Sequence, residues 1–220
     1  MAKISIVGAG PGSEDYVTPI ARKTVRNAQV VIGAERALAL FAGDIKGEKL
    51  KLTAKSMNET LNKAIDLAQK GKSVVILSTG DPGFAGLLRT FSRVAEGRNV
   101  EVEVIPGISS IQVCAARLSM PWDELCLFSF HDGVSAEKKA KLVEVVKDGK
   151  DALFLPDPKS FSPADAAEFL IERGVDAQTP VFVCENLTLS DERVVSSTLG
   201  EVARSSSFSS LCVMVIKPSL

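Results

Sequence analysis

The chain has 220 residues, 45% hydrophobic and 24% charged, enough for one large domain or two of about 100 residues around a real core. Its 26 lysines and arginines against 27 acidic residues leave a net charge of −1, which gives no basic footprint for nucleic acid. One histidine, four cysteines without a C-x-x-C pair, and no apolar run near the ~20 residues that cross a bilayer exclude a multi-histidine metal centre, a zinc site, a disulfide framework and a spanning helix.

Met1-Ala2-Lys3 leads straight into the apolar run Ile4-Ser5-Ile6-Val7, with no signal-peptide core or cleavage site, so the expected location is cytoplasmic. That run reads as a strand ending in a glycine loop. Thr18-Pro19, an N-cap followed by proline at the first helical position, opens a helix over 18–28. Residues 29–32 read as a second buried strand, closed by Gly33. Between 57 and 70, apolar residues at 57, 61, 64, 65 and 68 follow the helical period and stop at Gly71. A strand over 74–77, a loop over 78–83 and a helix over 84–95 come next. Residues 101–105 alternate with period two and meet Pro106-Gly107. Strands interleaved with helices in this way imply a mostly parallel, doubly wound sheet.

A helix over 109–118 precedes Ser119-Met120-Pro121-Trp122, which reads as a linker. The expected division is an N-terminal lobe, 1–118, and a C-terminal lobe, 119–220. The second half carries strand signals at 125–130, 152–155, 180–184, 193–197 and 211–216, with helices near 135–147 and 162–173. Its last strands lack a clear helical crossover, which points to a mixed sheet. The expected fold class is α/β, two α/β lobes with a cleft between them.

Three loops stand at the carboxyl ends of expected strands, the edge where open α/β sheets bind ligands. Gly8-Ala9-Gly10-Pro11-Gly12-Ser13 departs from the dinucleotide fingerprint: position 13 is serine, Pro11 interrupts, and the helix begins only after Tyr16-Val17-Thr18. This disfavours a nicotinamide or flavin site. The ordinary structural reading is a tight strand exit with glycines at positive φ. In Ser78-Thr79-Gly80-Asp81-Pro82-Gly83-Phe84, a glycine backbone allows close approach and Asp81 can accept hydrogen bonds from hydroxyls. The alternative is a turn in which Asp81-Pro82 starts the helix. Ile105-Pro106-Gly107-Ile108-Ser109-Ser110-Ile111-Gln112 opens its helix with hydroxyls, whose role is either to frame a carboxylate at free N–H groups or simply to cap.

The order G-x-G-P-G, then S-x-G-D-P-x-F, then V-I-P-G-x-S-S resembles the tetrapyrrole methylases, the class III methyltransferases, over nearly the whole chain. Leu118-Ser119-Met120-Pro121-Trp122-Asp123, Ser129-Phe130-His131, Cys184-Glu185-Asn186-Leu187 and Asp191-Glu192-Arg193-Val194 are similar to the branch acting on late corrin intermediates. Asp132 separates His131 from Gly133, where many relatives have glycine directly. The resemblance implies an S-adenosylmethionine-dependent C-methylation of a corrin-ring intermediate in cobalamin synthesis, at C5 of cobalt-precorrin-7. It also implies a homodimer with its active site in the cleft between the lobes. A decarboxylating methylase, fused to this domain in some relatives, is then a separate partner. The implied cofactor contacts are Pro11, Gly80, Asp81, Pro82, Phe84, Ile108, Ser109 and Ser110, with Leu155, Pro156, Asn186 and Leu187 from the second lobe. Gly10, Pro11, Gly12 and Arg36 fall on the substrate side. Arg22 and Arg89 are further candidates for substrate carboxylates.

A methyl group on a sulfonium is already electrophilic, so no covalent nucleophile is required, in agreement with the absence of a Ser/His/Asp constellation. His131 is the one imidazole able to take up the proton that the methylated carbon loses. Other readings are a uroporphyrinogen, diphthamide or ribosomal RNA methylase of the same superfamily, or a nucleotide-binding module without catalysis.

Overall fold

Buried from Ile4 to Gly8, strand β1 (Lys3–Gly8) lies inside a five-stranded sheet of order β3-β2-β4-β1-β5. Its neighbours are β2 (Val30–Gly33), β3 (Glu48–Lys51), β4 (Val74–Ser78) and β5 (Glu101–Ile105), and every pairing is parallel. Apolar runs in β2 and β4, and in β1 on either side of Ser5, follow from cover on both faces. Helices α3 (Met57–Gln69) and α4 (Leu87–Val94) close over Ile4, Ile6, Val30, Ile32, Val74 and Ile76. Helix α1 (Pro19–Arg26) and α2 (Glu35–Leu40) cover Val7, Val31, Val75 and Leu77 on the other face. This is the doubly wound sheet that the sequence pattern predicts. The structure, a computed structural model, describes residues 3–205 and 208–218, so Met1 and Ala2 of the expected leaderless start lie outside it.

Local chemistry sets the ends of these elements. The Thr18 hydroxyl accepts from Ala21 N at 3.3 Å and Pro19 occupies the first turn of α1. Strand β3 escapes sequence reading because its Glu-Lys-Leu-Lys segment is an exposed sheet edge without an apolar run. Helix α4 begins at Leu87 rather than 84, because Ala85 has φ of +53° and Gly86 is its extended N-cap. Asp44, buried after α2, accepts from Arg22 Nη1 at 2.7 Å and Arg26 Nε at 2.6 Å and thereby ties down α1. Burial alone would raise the Asp44 pKa, but the hydrogen bonds and charges of the two arginines hold it below the usual carboxylate range.

A second sheet has the order β6-β7-β10-β8-β9, from β6 (Cys126–Ser129), β7 (Ala152–Leu155), β8 (Pro180–Glu185), β9 (Arg193–Thr198) and β10 (Cys212–Ile216). Only β6 and β7 pair in parallel; β10 is antiparallel to β7 and β8, and β9 is antiparallel to β8. The sheet is therefore mixed, as the missing crossover implies. Helices α5 (Ser110–Arg117), α6 (Ala136–Lys147), α7 (Pro163–Glu172) and α8 (Leu199–Ala203) accompany it. Its core includes Phe130, Phe154 and Phe161, with ring centroids of Phe130 and Phe161 4.6 Å apart. Capping boxes start α7 at Ser162 and α8 at Thr198. Helix α5 contacts β7 and β10, so the chain divides into Met1–Ser109 and Ser110–Leu220, not after Leu118. The helix preceding the linker follows the sheet it packs on, which no local sequence signal reports. Among the described residues, no helix is long and apolar enough to cross a membrane.

Candidate active site

Parallel pairing brings the carboxyl ends of β1, β4 and β5 side by side, and their three glycine loops are joined through backbone atoms. Ala9 N donates to Ser78 O at 2.8 Å, and Gly80 N donates to Gly10 O at 2.9 Å. A Cβ on Gly8 would stand 2.5 Å from Gly107 Cα, and one on Gly107 would stand 2.5 Å from Gly80 O and 2.7 Å from Gly8 Cα. Only glycine permits that approach. The buried Ser78 hydroxyl accepts from Leu87 N at 3.1 Å and steers the chain into α4.

Asp81 is the clamp of this assembly. Its Oδ1 accepts from Gly83 N at 2.7 Å and its Oδ2 accepts from Gly107 N at 3.0 Å. The second bond spans 26 positions and fixes the β5 loop to the β4 loop. Asp81-Pro82 therefore does not start a helix; the segment is a turn with Pro82 buried, and α4 follows only at Leu87. Apart from its chain neighbours, a Cβ placed on Gly80 would meet nothing nearer than Cα of the buried Ser109 at 3.8 Å.

The other first-sheet candidates surround this knot. Gly10, with φ of +80°, turns the chain; Pro11 and Gly12 are half-buried and lead into a 3-10 turn, Glu14–Tyr16. Phe84 and Ile108 are half-buried at the β4 and β5 exits, and Ser110 is the first residue of α5. Arg36 is exposed in α2, just past the end of β2. Arg22, in contrast, is engaged by Asp44 and by Glu14 at 3.5 Å. Arg89 is exposed on α4.

In the second sheet, β7 and β8 both run antiparallel to β10, so their carboxyl ends share one edge with that of β6. Leu155-Pro156, Asn186-Leu187 and His131 all stand on that edge, far apart in sequence. Phe130 N donates to Leu155 O at 3.0 Å, which sets His131 beside the β7 exit. His131 is exposed; crowding by protein lowers its pKa, against the opposing charges of Asp157 and Asp132. Lys138 Nζ donates to Ser129 O at 3.0 Å and to Gly133 O at 3.4 Å, holding the turn around His131. The enclosed Ser129 hydroxyl has no hydrogen-bond partner among the described residues.

Asn186 and Thr188 both take positive φ, +50° and +69°, a costly conformation for a β-branched residue. Asn186 Nδ2 donates to Asp191 Oδ2 at 2.9 Å, and its Oδ1 accepts from Ser209 Oγ at 2.8 Å. Glu192 accepts from Thr188 N at 2.6 Å and from Arg117 Nε at 2.6 Å. The Arg117 hydrogen bond is the main reason the Glu192 carboxyl sits below its ordinary pKa. Arg117 escapes sequence reading, which holds Ser129 and Glu192 only as members of family-like motifs, without a role: 75 positions separate the ion pair, and no local pattern links its two residues.

The family model of the Tetrapyrrole (Corrin/Porphyrin) Methylases matches residues 3–203. A "Probable cobalt-precorrin-7 C(5)-methyltransferase" of Methanocaldococcus jannaschii is 37% identical, with 96% of each chain covered. The crystal structure of a cobalamin biosynthesis precorrin-6Y methylase from Archaeoglobus fulgidus superposes with a TM-score of 0.75 at 24% identity, with 100% of both chains covered. A uroporphyrin-III C-methyl transferase from Thermus thermophilus, complexed with S-adenyl homocysteine, superposes with a TM-score of 0.77 at 23% identity over 98% of this chain and 92% of that one. Sequence motifs, sheet topology and these likenesses agree over the length of the chain, which belongs to the tetrapyrrole methylases.

Proposed function

We propose that the chain transfers a methyl group from S-adenosylmethionine to C5 of cobalt-precorrin-7 during cobalamin biosynthesis. The observation that carries this reading is the 37% identity, end to end, with a relative named for that reaction. In the same reading the protein works in the cytoplasm as a homodimer, and a separate enzyme performs the decarboxylating methylation.

The residues suit such a cofactor. Apart from its chain neighbours, Gly80 has only Ser109 within 4 Å of the position a Cβ would take, so a ligand can approach its backbone closely, and the enclosed Ser129 hydroxyl retains its hydrogen-bonding capacity. In this reading Pro11, Gly80, Pro82, Phe84, Ile108, Ser109, Ser110, Leu155, Pro156, Asn186 and Leu187 are the residues that contact the cofactor. Asp81 acts on it through the loops. S-adenosylmethionine supplies an electrophilic methyl group on a charged sulfonium. The chain supplies alignment, which is worth roughly 7–11 kcal/mol of barrier when geometry is held. Backbone-knotted glycine loops are suited to that task because they are stiff and present no competing nucleophile. Gly10, Pro11, Gly12 and Arg36 face the tetrapyrrole, Arg36 offering its charge to the ring's carboxylates. His131, neutral at pH 7 because its pKa is lowered, accepts at an imidazole nitrogen the proton that leaves the methylated carbon.

The test is calorimetric titration with S-adenosylhomocysteine, followed by methyl transfer to cobalt-precorrin-7. Binding of one molecule per chain at micromolar affinity and a product methylated at C5 support the proposal. Folded protein that binds no S-adenosylhomocysteine refutes it, and transfer to another carbon refutes the position.

A further inference from the structure

Outside the proposed site, the second unit contains a pair of thiols that the methyl-transfer chemistry does not use. Cys114 lies in α5 and Cys184 in β8; both are 0% exposed, and the Cys114 thiol donates to Cys184 Sγ at 3.3 Å. Two sulfurs at this separation on different elements need a small approach to bond, since an S–S bond is about 2.05 Å long. Cys212 and Cys126 complete the set of free cysteines.

We propose that Cys114 and Cys184 are a disulfide-forming pair, oxidised by a small hydroperoxide, and that the cross-link weakens ligand binding at the flanking residues. The second half rests on the methyltransferase reading: Ser110 is one helical turn before Cys114, and Asn186 two residues after Cys184. In the first step the Cys184 thiolate attacks the terminal hydroxyl oxygen of the peroxide, the O–O bond breaks, and the alkoxide or hydroxide leaves as alcohol or water with the proton released when Cys184 ionised, as Cys184 becomes a sulfenic acid. In the second, the Cys114 sulfur attacks the Cys184 sulfur, the S–O bond breaks, and water leaves with the thiol proton. Two thiols are oxidised by two electrons and one peroxide is reduced.

The roles of the two sulfurs follow from their hydrogen bond. Donation from Cys114 favours the thiolate of Cys184, and the same bond together with burial pushes the Cys114 thiol far up. Cys212 stays protonated, pushed up to about 12 by burial and by the nearby Glu185 and Cys184. The reactive pair is therefore set apart from its neighbour in the sheet. In this proposal the closing of the sulfurs from 3.3 Å to about 2.05 Å is taken up in part between α5 and β8, whose ends carry Ser110 and lead into Asn186.

The full chain, reduced and then freed of reductant, is treated with hydrogen peroxide for hours, alkylated in denaturant and mapped by mass spectrometry. The expected product is 2 Da lighter before alkylation, with peptides of Cys114 and Cys184 joined and Cys126 and Cys212 alkylated; Cys114→Ser does not cross-link, and its Cys184 traps a sulfenic-acid reagent. Four alkylatable thiols after treatment, or a link through Cys126 or Cys212, overturns the pair. Titration with S-adenosylhomocysteine should show at least tenfold weaker binding in the oxidised protein, restored by dithiothreitol. Cross-linked protein with unchanged affinity overturns the coupling. Reduced protein that binds none removes the methyltransferase reading and the coupling with it, while the peptide map still decides the disulfide.

Discussion

Replacing Asp81 by alanine removes two acceptors at once, those of Gly83 N at 2.7 Å and Gly107 N at 3.0 Å. A hydrogen bond to a charged group contributes about 1.5–3 kcal/mol. Asp81 is half-buried, so water replaces part of each bond, and the expected loss is about 2–4 kcal/mol. For a chain of this size that lowers the melting temperature by about 10 °C. Freeing Gly107 also loosens the segment that carries Ser109, so affinity for S-adenosylhomocysteine should fall at least about tenfold, or ~1.4 kcal/mol. Asp81→Asn keeps one oxygen but sets its amide donor against a backbone N–H, so it restores at most half of the loss. Thermal unfolding and calorimetric titration on the same samples measure both effects. Unchanged melting with lost affinity would make Asp81 a direct ligand contact rather than a clamp; unchanged values of both would refute the reasoning.

Gly107→Ala should cost more than about 3 kcal/mol, because its Cβ meets backbone atoms at 2.5 and 2.7 Å that have nowhere to go; an unfolding midpoint equal to wild type refutes this. Asp44 has a depressed pKa in the folded state, so its contribution is complete above the unfolded value of about 3.9 and is lost as pH falls through the folded value. Denaturant titrations below about pH 5 should show stability falling with acid, and Asp44→Asn should flatten that slope. His131→Ala should reduce turnover well over tenfold at unchanged affinity for S-adenosylhomocysteine, and wild-type turnover should decline as pH falls below about 6.5; near-normal turnover in the variant excludes the imidazole as base.

The sequence by itself determined the layered α/β plan, since apolar runs such as Val74 to Leu77 and period-3.6 stripes such as that of α3 have few other uses. It also located the three glycine loops that follow β1, β4 and β5, because glycines directly after apolar strand signals mark strand exits; their shared edge follows from the parallel pairing. It left β3 unread, since an exposed edge strand needs no apolar pattern, and it set the start of α4 three residues early, since the left-handed turn at Ala85 carries no glycine signal. Which sheet α5 joins was decided by packing against β7 and β10. Tertiary structure alone decided that Asp81 spends its carboxylate on Gly107, that Arg117 reaches Glu192, and that Cys114 meets Cys184. Such contacts between residues 26 to 75 positions apart depend on strand order and register. Those are global outcomes of burying two sheets, and no window of local sequence encodes them.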